Sequence, residues 1–123
     1  MQELKDRIVK EGKVLPGNII KVDGFLNHRI DTELMDHIAE EFGKHFNMDE
    51  VTVILTAEAS GIALSAIVAQ HYHKPMIFAK KAKSDNIEGG LYQSDIFSYT
   101  YKKKVTLLAV SYTHLTLPTI LRV

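Results

Sequence analysis

The chain has no cysteine, no tryptophan and only three prolines in 123 residues. Without cysteine there is no disulfide and no thiolate chemistry, and a reducing compartment is the natural expectation. Neither sign of charge is in excess, since 15 Lys plus Arg balance 15 Asp plus Glu. No global field therefore draws the chain to nucleic acid or to an acidic membrane. No apolar run approaches the length that crosses a bilayer. The first seven residues, Met1 to Arg7, are charged where a secretory signal would be apolar. These absences predict a soluble cytoplasmic protein without nucleic-acid or membrane partners. One further absence is local: no Asp or Glu follows Asp95.

What is present suits a single compact domain. Hydrophobic residues make up 46% and charged residues 24%, which is ordinary globular usage. Residues 3–11 read as a short amphipathic helix with Leu4, Ile8 and Val9 on one side and Gly12 just past its end. Pro16-Gly17 breaks the chain, Ile19 to Val22 is a short extended stretch, and Phe25 to His28 reads as a loop. Asp31 caps a helix over 32–46 whose stripe is Met35, Ile38, Ala39, Phe42 and Phe46. Val51 to Leu55 is a short, almost wholly apolar run, the pattern of a strand buried on both faces of a parallel sheet. A small-residue loop, a helix over 62–71 and a strand over 76–79 complete a βαβ unit. Leu91 to Tyr101 reads as one arm of a hairpin whose exposed end is Lys102 to Lys104, and Val105 to Val110 as a further strand.

Three segments suggest binding chemistry. Thr56-Ala57-Glu58-Ala59-Ser60-Gly61 joins a strand's carboxyl end to a helix, where α/β sheets bind ligands and where free amides and the helix dipole favour phosphate. It also reads as a plain tight turn in which Ser60 caps the helix. Lys80-Lys81-Ala82-Lys83 leaves the next strand; alone it is a solvated loop, but beside the first segment it makes a local anion site in a neutral protein. Asp23-Gly24-Phe25-Leu26-Asn27-His28, opening on a turn signal, sets apolar surface next to an amide, which suits a flat heterocycle; taken alone it reads first as a packed connector whose asparagine satisfies its own backbone. His37, Glu41 and His45 share one helix face and read as polar surface, because no further metal ligand accompanies them. There is no Walker loop and no Ser/His/Asp arrangement.

Ile20 to Asp31, Thr56 to Ala63 and Phe78 to Ser84 occur in an order and at a spacing that strongly resemble bacterial xanthine phosphoribosyltransferases. The resemblance runs over residues 1 to about 110. It implies an α/β fold of type I phosphoribosyltransferase kind, a parallel sheet with flanking helices and a hairpin arm, incomplete at the C-terminus. It implies transfer of a 5-phosphoribosyl group from phosphoribosyl pyrophosphate to xanthine, giving xanthosine 5'-monophosphate and pyrophosphate in purine salvage. On that resemblance Ile20, where the family usually has leucine, and Asn27 contact the base. Ala57, Glu58, Ala59, Ser60 and Gly61, with Lys80 and Lys81, hold the pyrophosphate of the donor. Mg2+ arrives mainly on that donor, and the enzyme is a homodimer.

The family also has two adjacent acidic residues at the end of a later apolar strand, which hold the ribose hydroxyls. With no acid after Asp95 this pair is missing. The expectation is a phosphoribosyltransferase domain, N-terminal part, over 1–110, then a divergent, non-native tail over 111–123, and hence a fragment of doubtful activity. The alternatives are an adenine-type phosphoribosyltransferase and a non-catalytic purine-sensing regulator of the same fold.

Overall fold

The computed structural model describes residues 1–81, 90–98, 103–110 and 120–122. Ala82, Lys83 and Gly89, which the sequence joins to the lysine segment and the hairpin, lie outside them, as do 111–119. Helix α1 (Gln2–Glu11) leads into a small antiparallel hairpin, β1 (Lys13–Leu15) and β2 (Ile19–Lys21), with Val14 opposite Ile20. The break at Pro16-Gly17 is the turn of that hairpin. Gly17 and Asn18 both take positive φ, at 86° and 59°, a conformation Gly and Asn accept most easily.

Phe25 to His28 departs from the expected open loop. Residues Asp23–Asn27 form a π-helical turn, with the amides of both His28 and Arg29 donating to the Asp23 carbonyl. Its anchor is Phe25, only 1% exposed. Helix α2 (Thr32–His45) begins where the sequence places it, since the Asp31 carboxylate accepts from the Leu34 amide at 3.1 Å. Its stripe buries Leu34, Met35, Ile38 and Ala39. Phe46, expected on the stripe, lies beyond the last turn and is exposed. Val9 of α1 is likewise on the solvent side.

Strand β3 (Val53–Ala57), helix α3 (Gly61–His71) and strand β4 (Met76–Ala79) form the βαβ unit, with Ile54 beside Met76 and Ala57 beside Ala79 in parallel register. The strand starts two residues later than its apolar run because a turn ends there: the Val51 amide donates to the Met48 carbonyl. Strands β5 (Leu91–Ser98) and β6 (Lys103–Val110) pair antiparallel as the hairpin arm. Val105 to Val110 is thus the returning arm of the hairpin. β7 (Ile120–Arg122) lies parallel to β3 on the side away from β4.

The hairpin is tied to the βαβ unit at Lys80. Lys80 and Leu108 exchange two backbone hydrogen bonds, both of 2.8 Å. Two apolar clusters hold the rest together. One joins Ala39, Met48, Val51, Ile54, Val68 and Ala69, and the other joins Phe25, Leu34 and Ile38 to Leu4 and Ile8 of α1. Phe42 and Leu64 touch both clusters, so α2 and α3 pack as one layer against β3.

Candidate functional site

Strand β3 delivers its last residues to the sheet's carboxyl edge, and the chain turns there into α3. Within this turn the Glu58–Ala59 peptide is cis. The Glu58 amide donates to the Ala79 carbonyl at 3.0 Å, and the Glu58 carboxylate accepts from the Lys81 amide at 2.6 Å. Glu58 therefore bridges the tips of β3 and β4. Ser60 stands at the N-cap of α3 but makes no side-chain capping bond, so the plain reading of a serine cap is not what the turn does. Its hydroxyl is exposed, and no partner for the Ala59, Ser60 or Gly61 amides occurs among the described residues. Three free donors at a helix start make an electropositive cradle.

A cleft of about 440 Å3 opens in front of this cradle. Ala57, Glu58, Ser60 and Gly61 line one wall, with Thr56 and Leu64 beneath, and Leu26, Asn27 and Met35 line the other. The structure thus brings Asn27 to the small-residue loop. It does not bring all the expected residues there. Ile20 sits on the β1–β2 hairpin, 53% exposed, and does not line the cleft. Ala59 is exposed on the loop but also does not line it. Lys81 meets the site through its backbone amide, whereas the Lys80 backbone is paired with Leu108 of the hairpin. The Lys80 ammonium lies 5.9 Å from the Phe78 ring centroid, and Lys81 binds Glu58 through its amide.

Met35 and Leu64 were not singled out as site residues, because apolar lining gives no signal beyond ordinary core usage. A second hollow of about 350 Å3 lies between the ends of β3 and β4 and the hairpin, lined among others by Leu55, Ala79, Tyr92, Gln93, Ile96 and Leu107. Thr56 and Ala57 border both spaces.

Charges around the cleft's far wall are strongly organised. The Asp31 carboxyl is held below its usual range by the Leu34 amide and by Arg7, whose Nη2 lies 2.9 Å from Oδ2. His37, Glu41 and His45 are occupied with ion pairs: His37 with Glu3 at 2.9 Å, and Glu41 with Lys44 at 2.9 Å and His45 at 3.5 Å. No group of three or more side chains able to hold a metal occurs among the described residues.

Comparison with solved structures follows this geometry. The chain superposes on the APRTase of Giardia lamblia complexed with 9-deazaadenine, with a TM-score of 0.71 and 19% identity over 97% of this chain and 65% of that one. It also matches an adenine phosphoribosyltransferase of Trypanosoma brucei, in complex with AMP, pyrophosphate and ribose-5-phosphate, at a TM-score of 0.58 and 21% identity over 85% of this chain and 47% of that one. Its sequence is 53% identical to a xanthine phosphoribosyltransferase of Lachnoclostridium phytofermentans over 103 residues, 84% of this chain and 53% of that protein. The chain has the fold of these phosphoribosyltransferase structures and is similar in sequence to a xanthine phosphoribosyltransferase over most of its own length. A xanthine phosphoribosyltransferase of Bifidobacterium adolescentis is 45% identical over 109 residues, 88% of this chain and 56% of its own. The chain spans about half the length of the phosphoribosyltransferases it matches in sequence. No family model matches it.

Proposed function

We propose that this chain is the purine- and pyrophosphate-binding part of a xanthine phosphoribosyltransferase. The reaction is transfer of a 5-phosphoribosyl group from phosphoribosyl pyrophosphate to xanthine, yielding xanthosine 5'-monophosphate and pyrophosphate. The observation that carries this is the single cleft bounded by Asn27 on one wall and by the Ala57–Gly61 turn on the other. A carboxamide opposite a cradle of free amides suits a flat, edge-polar base next to a diphosphate. Names of relatives at 45–53% identity support the choice of xanthine. The adenine enzymes match below 25% identity and support the fold alone.

Displacement at the anomeric carbon leaves positive charge on the ribose while pyrophosphate departs with negative charge. The amides of Ser60 and Gly61 and the dipole of α3 stabilise the departing group, an electrostatic and positional form of catalysis. Asn27 orients the base by its edge. Magnesium arrives on the donor's own phosphate oxygens, and when bound it offsets charge on the leaving group. The cleft's one carboxylate, Glu58, fits that arrangement, since it is engaged with Lys81.

Lys80 and Lys81, and Ile20 on its exposed hairpin, belong to the proposal as residues that meet substrate once the remainder of the protein is in place. A homodimer in the cytoplasm is part of it. The apolar ribbon of Val14, Leu15, Ile19 and Ile20, 42–79% exposed, supports association, and no described helix is long and apolar enough to cross a membrane. Competition among xanthine, guanine, hypoxanthine and adenine for the purified chain, followed by calorimetry, tests the reading. Xanthine is expected to bind tightest, and a preference for adenine overturns the assignment.

A further inference from the structure

Asn27 is exposed, so its own packing does not aim it. Its aim comes from the turn that carries it, and that turn is fastened at two residues. Two positions before Asn27, the ring of Phe25 is buried in the second apolar cluster. Four positions after it, the Asp31 amide donates to the Phe25 carbonyl at 3.0 Å, closing the segment on itself. Asp31 also accepts from the Leu34 amide through Oδ1, which fixes the start of α2.

One side chain from a distant part of the sequence touches both fasteners. The Arg7 guanidinium on α1 sits 5.4 Å over the Phe25 ring centroid, and its Nη2 donates to Asp31 Oδ2 at 2.9 Å. Its Nε lies 2.5 Å from Glu11 on the same helix, an ion pair that holds the guanidinium in place. Lying over a ring while donating to a carboxylate beside it suits the planar guanidinium of arginine better than the compact ammonium of lysine.

We infer that Arg7 is a positioning residue for base recognition, holding Phe25 and Asp31 so that the turn between them presents Asn27 to the cleft. The inference rests on the reading of that cleft as the base site. Helix α1, outside the βαβ unit, is then part of the specificity apparatus.

The test uses the purified chain and the variants Arg7→Gln and Arg7→Lys, with two independent readouts. The first is affinity for xanthine and, separately, for inorganic pyrophosphate, by calorimetry. Arg7→Gln is expected to weaken xanthine at least ~10-fold, as a small misplacement of a recognition group does, and to leave pyrophosphate within about twofold. Arg7→Lys, which keeps the charge without the planar guanidinium, falls between. Equal weakening of both ligands, or an unmoved xanthine affinity, overturns the inference. The second readout needs no ligand. Amide exchange at Leu26, His28 and Arg29 is expected to quicken in Arg7→Gln, while that at Glu58 and Tyr72 stays as in the parent. Unchanged exchange in the turn overturns Arg7's role. If the parent chain binds no xanthine, the base-site reading fails, and exchange alone still decides whether Arg7 holds the turn.

Discussion

Ser65 is fully buried in the middle of α3, and its hydroxyl has no hydrogen-bond partner among the described residues. A buried hydroxyl left unpaired costs more than it returns, and alanine is the better helix former. Ser65→Ala is therefore expected to stabilise the chain by about 0.5–1.5 kcal/mol, read as a higher urea midpoint at unchanged slope. Gly43 behaves in the opposite sense. Gly-to-Ala inside a helix normally gains about 1 kcal/mol, but here a Cβ would run into the hydroxyl and ring of Tyr72. Tyr72 cannot easily yield, because its hydroxyl donates to the Ala39 carbonyl at 2.7 Å. Gly43→Ala is expected to destabilise by about 1–3 kcal/mol, and the sign should reverse in a Tyr72→Ala background. At this scale Asp31 was legible from sequence, since a short acidic side chain before an apolar stripe is a cap by its chemistry. The role of Arg7 was not, because its partner lies 24 residues away and local spacing carries no sign of it.

At the scale of elements, the βαβ unit was readable because its strands and helix differ in length and in branching. The β1–β2 hairpin was only half readable. Three-residue strands have no periodicity, and here pairing alone defines them. Asp23-Gly24 reads as a turn in the sequence, but the helical winding on to Asn27 does not, because a buried Phe25 organises it from below. Glu58 makes an element-scale prediction, since it links two strand tips. Glu58→Gln keeps an acceptor for the Lys81 amide and removes a negative charge from the cleft, so pyrophosphate is expected to bind as well or better. Glu58→Ala loses the link, and weaker pyrophosphate binding is expected by calorimetry. Pairing between α1 and α2 sets the pH response. Lys44 and the N-terminal amino group bring the Glu41 carboxyl down to about 2, and Asp31 is lowered by the Leu34 amide and by Arg7. Depressed carboxyls contribute stability that is complete above their unfolded values and is lost as pH falls through the folded ones. His37 is raised by Glu3, so its contribution is complete below its unfolded value of 6.5 and lost as pH rises through the folded one. Thermal melts are expected to show stability climbing from about pH 2 to 5 and slipping above about pH 6.5. His37→Gln should flatten only the upper limb.

For the molecule as a whole, the proposed reading explains how a neutral chain of ordinary composition would hold a strongly anionic donor. The proposed anion site draws on amides at one helix start and two strand ends, and overall charge has no part in it. Residues 96–123 contain no acid, so that stretch offers the proposed site no carboxylate pair for ribose hydroxyls. Xanthine and phosphoribosyl pyrophosphate are expected to bind without turnover at the roughly 1–10³ per second of ordinary enzymes, as a coupled pyrophosphate assay would show. The central claim is that base and pyrophosphate share one cleft between Asn27 and the Ala57–Gly61 turn. Amide chemical-shift mapping of the labelled chain tests it most directly. Xanthine should move the Asn27 side-chain amide, and pyrophosphate the Ser60 and Gly61 amides. Shifts confined to Gln93 and Ser94 in the hairpin hollow, or none at Asn27, would contradict it.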